Sequence, residues 1–419
     1  MVAVGEASSD VGVRVDRASS VRGRLEAFAV EVLAEATNRP VQVVNGGLYV
    51  RGLLEEGARK SLEPIVARLG GEADYQSMQQ FLTDSPWDSG LVVRAVAERV
   101  AGEIDVQAWV LDDTGFRKDG KGSPGVKRQY SGSFQRFTNC QIGVSLHAVG
   151  SRGTVPLGWA LYLPKEWCED SVRRTQAKIP EQVEFQTKPQ LGAGLAIGAA
   201  GWKVKRGPVL GDCAYGNNTE MREQLDEHGL SYLLAVTPEL KMFEAATTFR
   251  PPLPSGGRYT ARGRPVPDRE PETIETLIAQ AGGSARRTLT FRDGPDGRPR
   301  KSRFVFLRVR CGRDWNFHEH TWFRTGTEPP REEWLIAEWP KGGERPSGYW
   351  LSNLPASAKP GALARLARMR WSIELDYKQL KGELGLDHYE GRSWLGWYHH
   401  TALVTAAHGF LTLERLRPP

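Results

Sequence analysis

The sequence predicts an α/β protein in which helices flank a mixed sheet, a helical region comes first, and a β-rich segment interrupts the sheet. Three observations predict it. Apolar residues recur at spacings of three and four from about Val21 to Val100, the period of a helix. After Asp105, short apolar runs bounded by turn residues alternate with helical stretches, as in a mixed sheet. Near the C-terminus the helical period returns, opened by Pro360 and closed by Gly385.

Composition narrows the class. With 419 residues, 40% of them apolar and 13 of them Trp, the chain can bury a large core, which excludes a wholly disordered protein. No run of eighteen apolar residues is present, and the start lacks a basic stretch followed by an apolar one. Neither a membrane span nor a secretory signal is expected. Cys140, Cys168, Cys213 and Cys311 are scattered without a CxxC pair, so neither a disulfide framework nor a zinc site is expected, and a reducing cytosol fits. The net charge of +6 is local. Residues 1–100 carry 11 Lys/Arg against 14 Asp/Glu, whereas residues 241–310 carry 15 against 7. That second stretch is either a solvated loop region or a surface for phosphates.

Residues 1–20 show no clear period and are expected as a flexible tail. Residues 21–103 form the helical region. Within it, YQSMQQFLT and GLVVRAVAERVAGEI flank a Pro-containing turn, which fits a helix-turn-helix reader and fits plain helical packing better. Residues 104–240 begin with VQAWVLDDT, CQIGVSLHAVG and TVPLGWALYLP, three strands of an antiparallel meander. GPVLGDCAYG and SYLLAVTP are further strands, with a helix between them that starts at an Asn. Residues 241–350 make the β-rich basic insertion, with a hairpin over residues 286–311 and strand-like pieces at 314–324, 332–340 and 348–355. Residues 351–419 return to helix: one continuous helix over residues 361–384, then an apolar one.

Asp112/Asp113 and Asp212 stand where apolar strands stop, and Glu374 lies on an amphipathic helix. A carboxylate so placed is costly unless it is paired or holds a cation. Each acid could cap an element or pair with an Arg. Alternatively, three carboxylates could bracket two hard divalent ions for phosphoryl transfer. Arg370, Glu374 and Lys381 are four and seven apart and share one helical stripe, with Tyr377 and Tyr389 nearby; a salt-bridged helix surface has the same spacing.

The segments LDDTGFRKDGKGSPGVKRQYSG, VLGDCAYG and RWSIELDYKQLKGELGLDHYEGRSW resemble the three catalytic blocks of DDE-type insertion-sequence transposases. The branch resembled carries a Tyr-x2-Arg-x3-Glu-x6-Lys signature, which Arg370, Glu374 and Lys381 match, with Ala367 in the Tyr place. The likeness spans most of residues 40–415. It implies a ribonuclease H-like core holding two Mg2+ or Mn2+ ions on Asp113, Asp212 and Glu374. Asp113 is chosen because the family's first Asp precedes a Thr or similar residue; Asp112 and Asp113 face opposite sides of a strand, so one of them serves.

The implied activity is cut-and-paste transposition by a homodimer on double-stranded DNA, both terminal inverted repeats and target, with the N-terminal helices reading the repeats. Candidate DNA-contacting residues are Arg370, Lys381 and Tyr377, then Lys118, Lys121, Lys127 and Arg128 beside Asp113, then Arg298, Arg300, Lys301 and Arg303 in the insertion. A catalytically inactive DNA-binding descendant and a structure-selective nuclease are the alternatives. Trp315, Trp322, Trp334, Trp339 and Trp350 read as core residues before base-stacking ones, His399 and His400 as packed or capping residues, and Cys213 as a small buried residue. Gly120, Gly122 and Gly125 lack the spacing of a nucleotide loop.

Overall fold

The computed structural model describes residues 8–250, 266–293, 299–311, 330–340 and 342–418. Helix α1 (Ser8–Ala34) begins inside the expected tail. No proline interrupts residues 8–20, and the helical backbone extends back through them. α2 (Pro40–Leu54), α3 (Leu62–Arg68), α4 (Tyr75–Thr83) and α5 (Ser89–Ile104) follow. Asp74 and Asp88 cap α4 and α5 by accepting from their first free N–H groups. In the α4–turn–α5 pair, α5 sinks Val92, Val96, Val100 and Ile104 into the core. Leu25, Phe28 and Val96 share one hydrophobic core with Val110, Leu146, Trp397 and Phe410. The change near residue 103 is therefore one of secondary structure within a common core.

The sheet begins with β1 (Val106–Arg117), β2 (Lys127–Ser131), β3 (Arg136–Gly150) and β4 (Thr154–Leu161), all antiparallel where they pair, as the meander predicts. Two short helices, α6 (Lys165–Glu169) and α7 (Ser171–Gln176), lead to α8 (Lys188–Ala199), which opens with a Thr187–Gln190 capping box. β5 (Val209–Gly211) runs parallel to β1 and to β6 (Tyr232–Val236), and α9 (Cys213–Gly216) and α10 (Thr219–Glu227) connect them. Asn218 caps α10, as its place in the sequence predicts.

The insertion continues the core sheet, while Met242, Ile278, Val305 and Leu335 gather in a hydrophobic cluster of their own. β7 (Lys241–Glu244), the short β8 (Phe249–Arg250), β9 (Val266–Pro267) and β10 (Glu272–Thr273), then α11 (Ile274–Gln280), lead to the β11 (Arg287–Asp293)–β12 (Pro299–Cys311) hairpin, β13 (Glu332–Trp339) and β14 (Gly348–Ser352). Because β14 pairs with β6, all of these strands except β8 and β9, which pair with each other, extend the core sheet; among the described residues it has twelve strands, in the order β10-β7-β12-β13-β14-β6-β5-β1-β3-β2 with β11 on β12 and β4 on β3. The strand expected at 314–324, with Trp315 and Trp322, lies outside the described residues, as does Arg298. Trp339 is buried, and Arg286 stacks on it with 4.4 Å to the ring centroid, which agrees with a core role.

The continuous helix expected over residues 361–384 is two, α12 (Pro360–Met369) and α13 (Ser372–Gly382). The Ser372 hydroxyl donates to the Met369 carbonyl at 2.7 Å and competes with the helical ladder. The next amides bond three residues back, Ile373 to Arg370 and Glu374 to Trp371, so the chain tightens and turns there. Gly385, at φ +67°, ends α13. α14 (Trp394–Leu416) closes the fold. Among the described residues no helix is long and apolar enough to cross a membrane.

Candidate functional site: an acidic centre at the ends of parallel strands

Where β1 and β5 run side by side, Trp109 lies opposite Val209 and Val110 opposite Leu210. Both strands then deliver acids beyond that pairing, the place where α/β sheets commonly bind ligands. Asp112 and Asp113 follow on β1. Asp212 follows β5, and its Oδ1 accepts from the Ala214 N–H at 2.9 Å. Glu374 comes from the first turn of α13. Arg370, at the α12–α13 turn, joins them. Its Nη1 donates to Asp112 Oδ2 at 2.7 Å and stands 4.0 Å from Glu374 Oε1.

Charge is crowded here. Burial pushes the Asp112 carboxyl up to about 7; the Arg370 guanidinium opposes the rise and the neighbouring Asp212 adds to it. Asp212 is raised as well, by burial first, with the Ala214 N–H opposing and Asp113 adding. Asp113, on the other face of β1, pairs with Lys188 Nζ at 2.8 Å. The side chain tied to Glu374 through Arg370 is thus Asp112, whereas sequence reasoning chose Asp113. The α12–α13 turn covers the Asp112 face of the strand.

Among the described residues no three His, Cys, Asp or Glu side chains already form an ion cage. The donors still suit a hard divalent cation: all are carboxylate oxygens, two of the groups are raised by burial and by a neighbouring carboxylate, and Arg370 supplies compensating positive charge.

Other expected site residues divide between the interior and the surface. Tyr377 is buried with its hydroxyl 2.7 Å from Ser145 Oγ, so it is not placed to meet DNA; its stripe of α13 faces the sheet. Lys381 donates to the Gly115 carbonyl at 2.6 Å over the rings of Phe116 and Phe134, and burial lowers its pKa. Lys118 donates to the Tyr389 carbonyl, and burial brings it down to about 8. Lys121, Lys127 and Arg128 are exposed, with Lys127 paired to Glu166. Arg300 and Lys301 are exposed on β12, and Arg303 donates to the Gly343 carbonyl at 3.1 Å. Five strand spacings separate β12 from β1, about 24 Å along the sheet.

His399 bonds the Leu82 and Trp87 carbonyls, and His400 bonds those of Gly385 and Leu386, so both are the packed, capping residues expected. Cys213 is exposed, not buried, because Asp212 caps α9 and turns its first residue outward. Sequence reasoning missed Lys188, Ser145, His147 and Asp376. A lysine at a helix N-terminus opposes the helix dipole and signals a nearby anion. Ser145 and His147 are polar residues two apart in an apolar strand, a sign of a polar patch on one sheet face.

Residues 32–298 match the profile of the DDE superfamily endonucleases, and residues 195–410 that of the transposase DDE domain. Over 190 residues the chain is 30% identical to a probable transposase for insertion sequence element IS701 from Microchaete diplosiphon. That alignment takes in 44% of this chain and 46% of the relative, so the chain spans less than half of that protein.

Proposed function

Because the chain belongs to the DDE superfamily of endonucleases and transposases, we propose that it is a DNA transposase of the cut-and-paste kind. It cleaves double-stranded DNA at the terminal repeats of an insertion element and joins the freed 3′-hydroxyl to target DNA, working as a homodimer in the bacterial cytosol. The observation that carries this is Arg370 bridging Asp112 and Glu374, with Asp212 following the adjacent parallel strand. We assign the three carboxylates as ligands for two Mg2+ or Mn2+ ions, with Asp112 as the first and Asp113 as the partner of Lys188. Bound there, such ions activate an oxygen nucleophile and stabilise the leaving oxygen.

The chain's own groups orient the substrate. Arg370 presents a guanidinium fork beside the acids, suited to a scissile-strand phosphate. Lys121 and Arg128 project from the segment beside β1 to hold flanking phosphates, and Arg300 and Lys301 extend that contact along the sheet. In cleavage, water adds to a phosphodiester phosphorus and the 3′-oxygen leaves. In joining, the 3′-hydroxyl adds to a target phosphorus, loses its proton, and displaces the target's own 3′-oxygen.

The test uses labelled DNA from both flanks of the reading frame with Mg2+. Wild-type protein cleaves and joins. Asp112→Asn, Asp212→Asn and Glu374→Gln each lose at least a thousandfold, and Asp113→Asn loses far less. Binding without cleavage would mark an inactive descendant, and cleavage without joining a nuclease. Equal loss in Asp112→Asn and Asp113→Asn would undo the choice between those two.

A further inference from the structure

α13 is fastened to the sheet by a chain of buried polar groups that no step above uses. The Tyr377 hydroxyl lies 2.7 Å from Ser145 Oγ, Ser145 Oγ lies 3.1 Å from His147 Nε2, and His147 Nδ1 lies 2.9 Å from Asp376 Oδ2. Thr154 donates to the other Asp376 oxygen at 2.6 Å. Ser145 and His147 have no exposed surface, and Asp376 and Tyr377 have almost none. A carboxylate only accepts, so His147 presents its Nδ1–H to Asp376. Nε2 of the same ring meets the Ser145 hydroxyl, which also meets that of Tyr377.

Ser145, His147 and Asp376 stand in the hydrogen-bond order of a nucleophilic triad. Burial keeps any substrate from Ser145, so the order serves something else. The register says what. Ser145 is the direct cross-strand partner of Asp112, so their side chains share a sheet face. At the other end, Asp376 and Tyr377 follow Glu374 within one turn of α13. The chain therefore ties the strand position of one acid to the helix position of another.

Resting on the metal-dependent reading above, we propose that Ser145, His147, Asp376 and Tyr377 are positioning residues: together they fix α13 against β3 and so set the spacing between Asp112 and Glu374 for divalent ions. Outer partners of this kind typically change metal affinity by 10–100-fold when removed.

The test is Mn2+ binding to the full-length, DNA-free protein, followed by electron paramagnetic resonance. Ser145→Ala and Tyr377→Phe each remove one hydroxyl with little change of volume. Each is expected to weaken Mn2+ binding about tenfold or more, while metal-free DNA affinity and thermal midpoint stay close to wild type. The double variant should lose no more than the worse single one, because both cut the same chain. Unchanged Mn2+ affinity in both singles, or a loss that follows the thermal midpoint, overturns the proposal. If wild-type protein binds no Mn2+, or Asp112→Asn and Glu374→Gln bind it normally, the metal-dependent reading itself falls and takes this inference with it.

Discussion

His400 sits without exposed surface between the Tyr49 hydroxyl and the carbonyls of Gly385 and Leu386. Burial lowers its pKa from 6.5 to about 4. The folded state therefore favours the neutral ring. Its contribution is full above about pH 6.5 and is lost as the pH falls toward 4, roughly 3 kcal/mol in all. Replacing His400 with Gln should flatten the fall of thermal midpoint between pH 6.5 and 4 relative to wild type; parallel curves would contradict this. Residue identity made such a packed histidine legible in advance. Which of Asp112 and Asp113 meets Arg370 was not, because it depends on which face of β1 the α12–α13 turn covers, and neighbouring letters carry no record of that.

Elements were legible wherever a local period met a local stop. β1, β3 and β4 appeared as apolar runs between turn residues, and the end of α13 appeared as Gly385. That glycine holds φ +67°, and a Cβ there would stand 2.3 Å from the Lys60 Cβ. Gly385→Ala should cost about 2–4 kcal/mol from left-handed strain and overpacking, read as a lowered urea midpoint. A change below about half a kcal/mol would mean that the loop yields freely. The turn between α12 and α13 was hidden in the sequence, since no Pro or Gly marks it. It depends on a serine hydroxyl taking a backbone carbonyl and on Arg370 reaching a distant strand. Periodicity records neither.

At the scale of the whole molecule, the order of the catalytic blocks was readable, but the way the insertion joins the core was not. Strand pairing between β14 and β6 is a long-range choice. Buried Glu338 on β13 receives Arg368 of α12, and buried Arg222 of α10 faces Glu333 at 3.8 Å, so charge pairs fasten the added strands to the core helices. Such pairs are costly to break from one side. Core and insertion should therefore unfold in one calorimetric transition. Two resolved transitions, or a soluble folded protein after deletion of residues 241–347, would show that they are independent.

Among the described residues, the short strand β5 joins two half-sheets, the one around β1 and the one around β6. A narrow suture concentrates load. A pull on the basic strand β12 while the half around β1 is held passes through Val209, Leu210 and Gly211. The next residue in the chain is Asp212, so such a load is delivered beside that carboxylate.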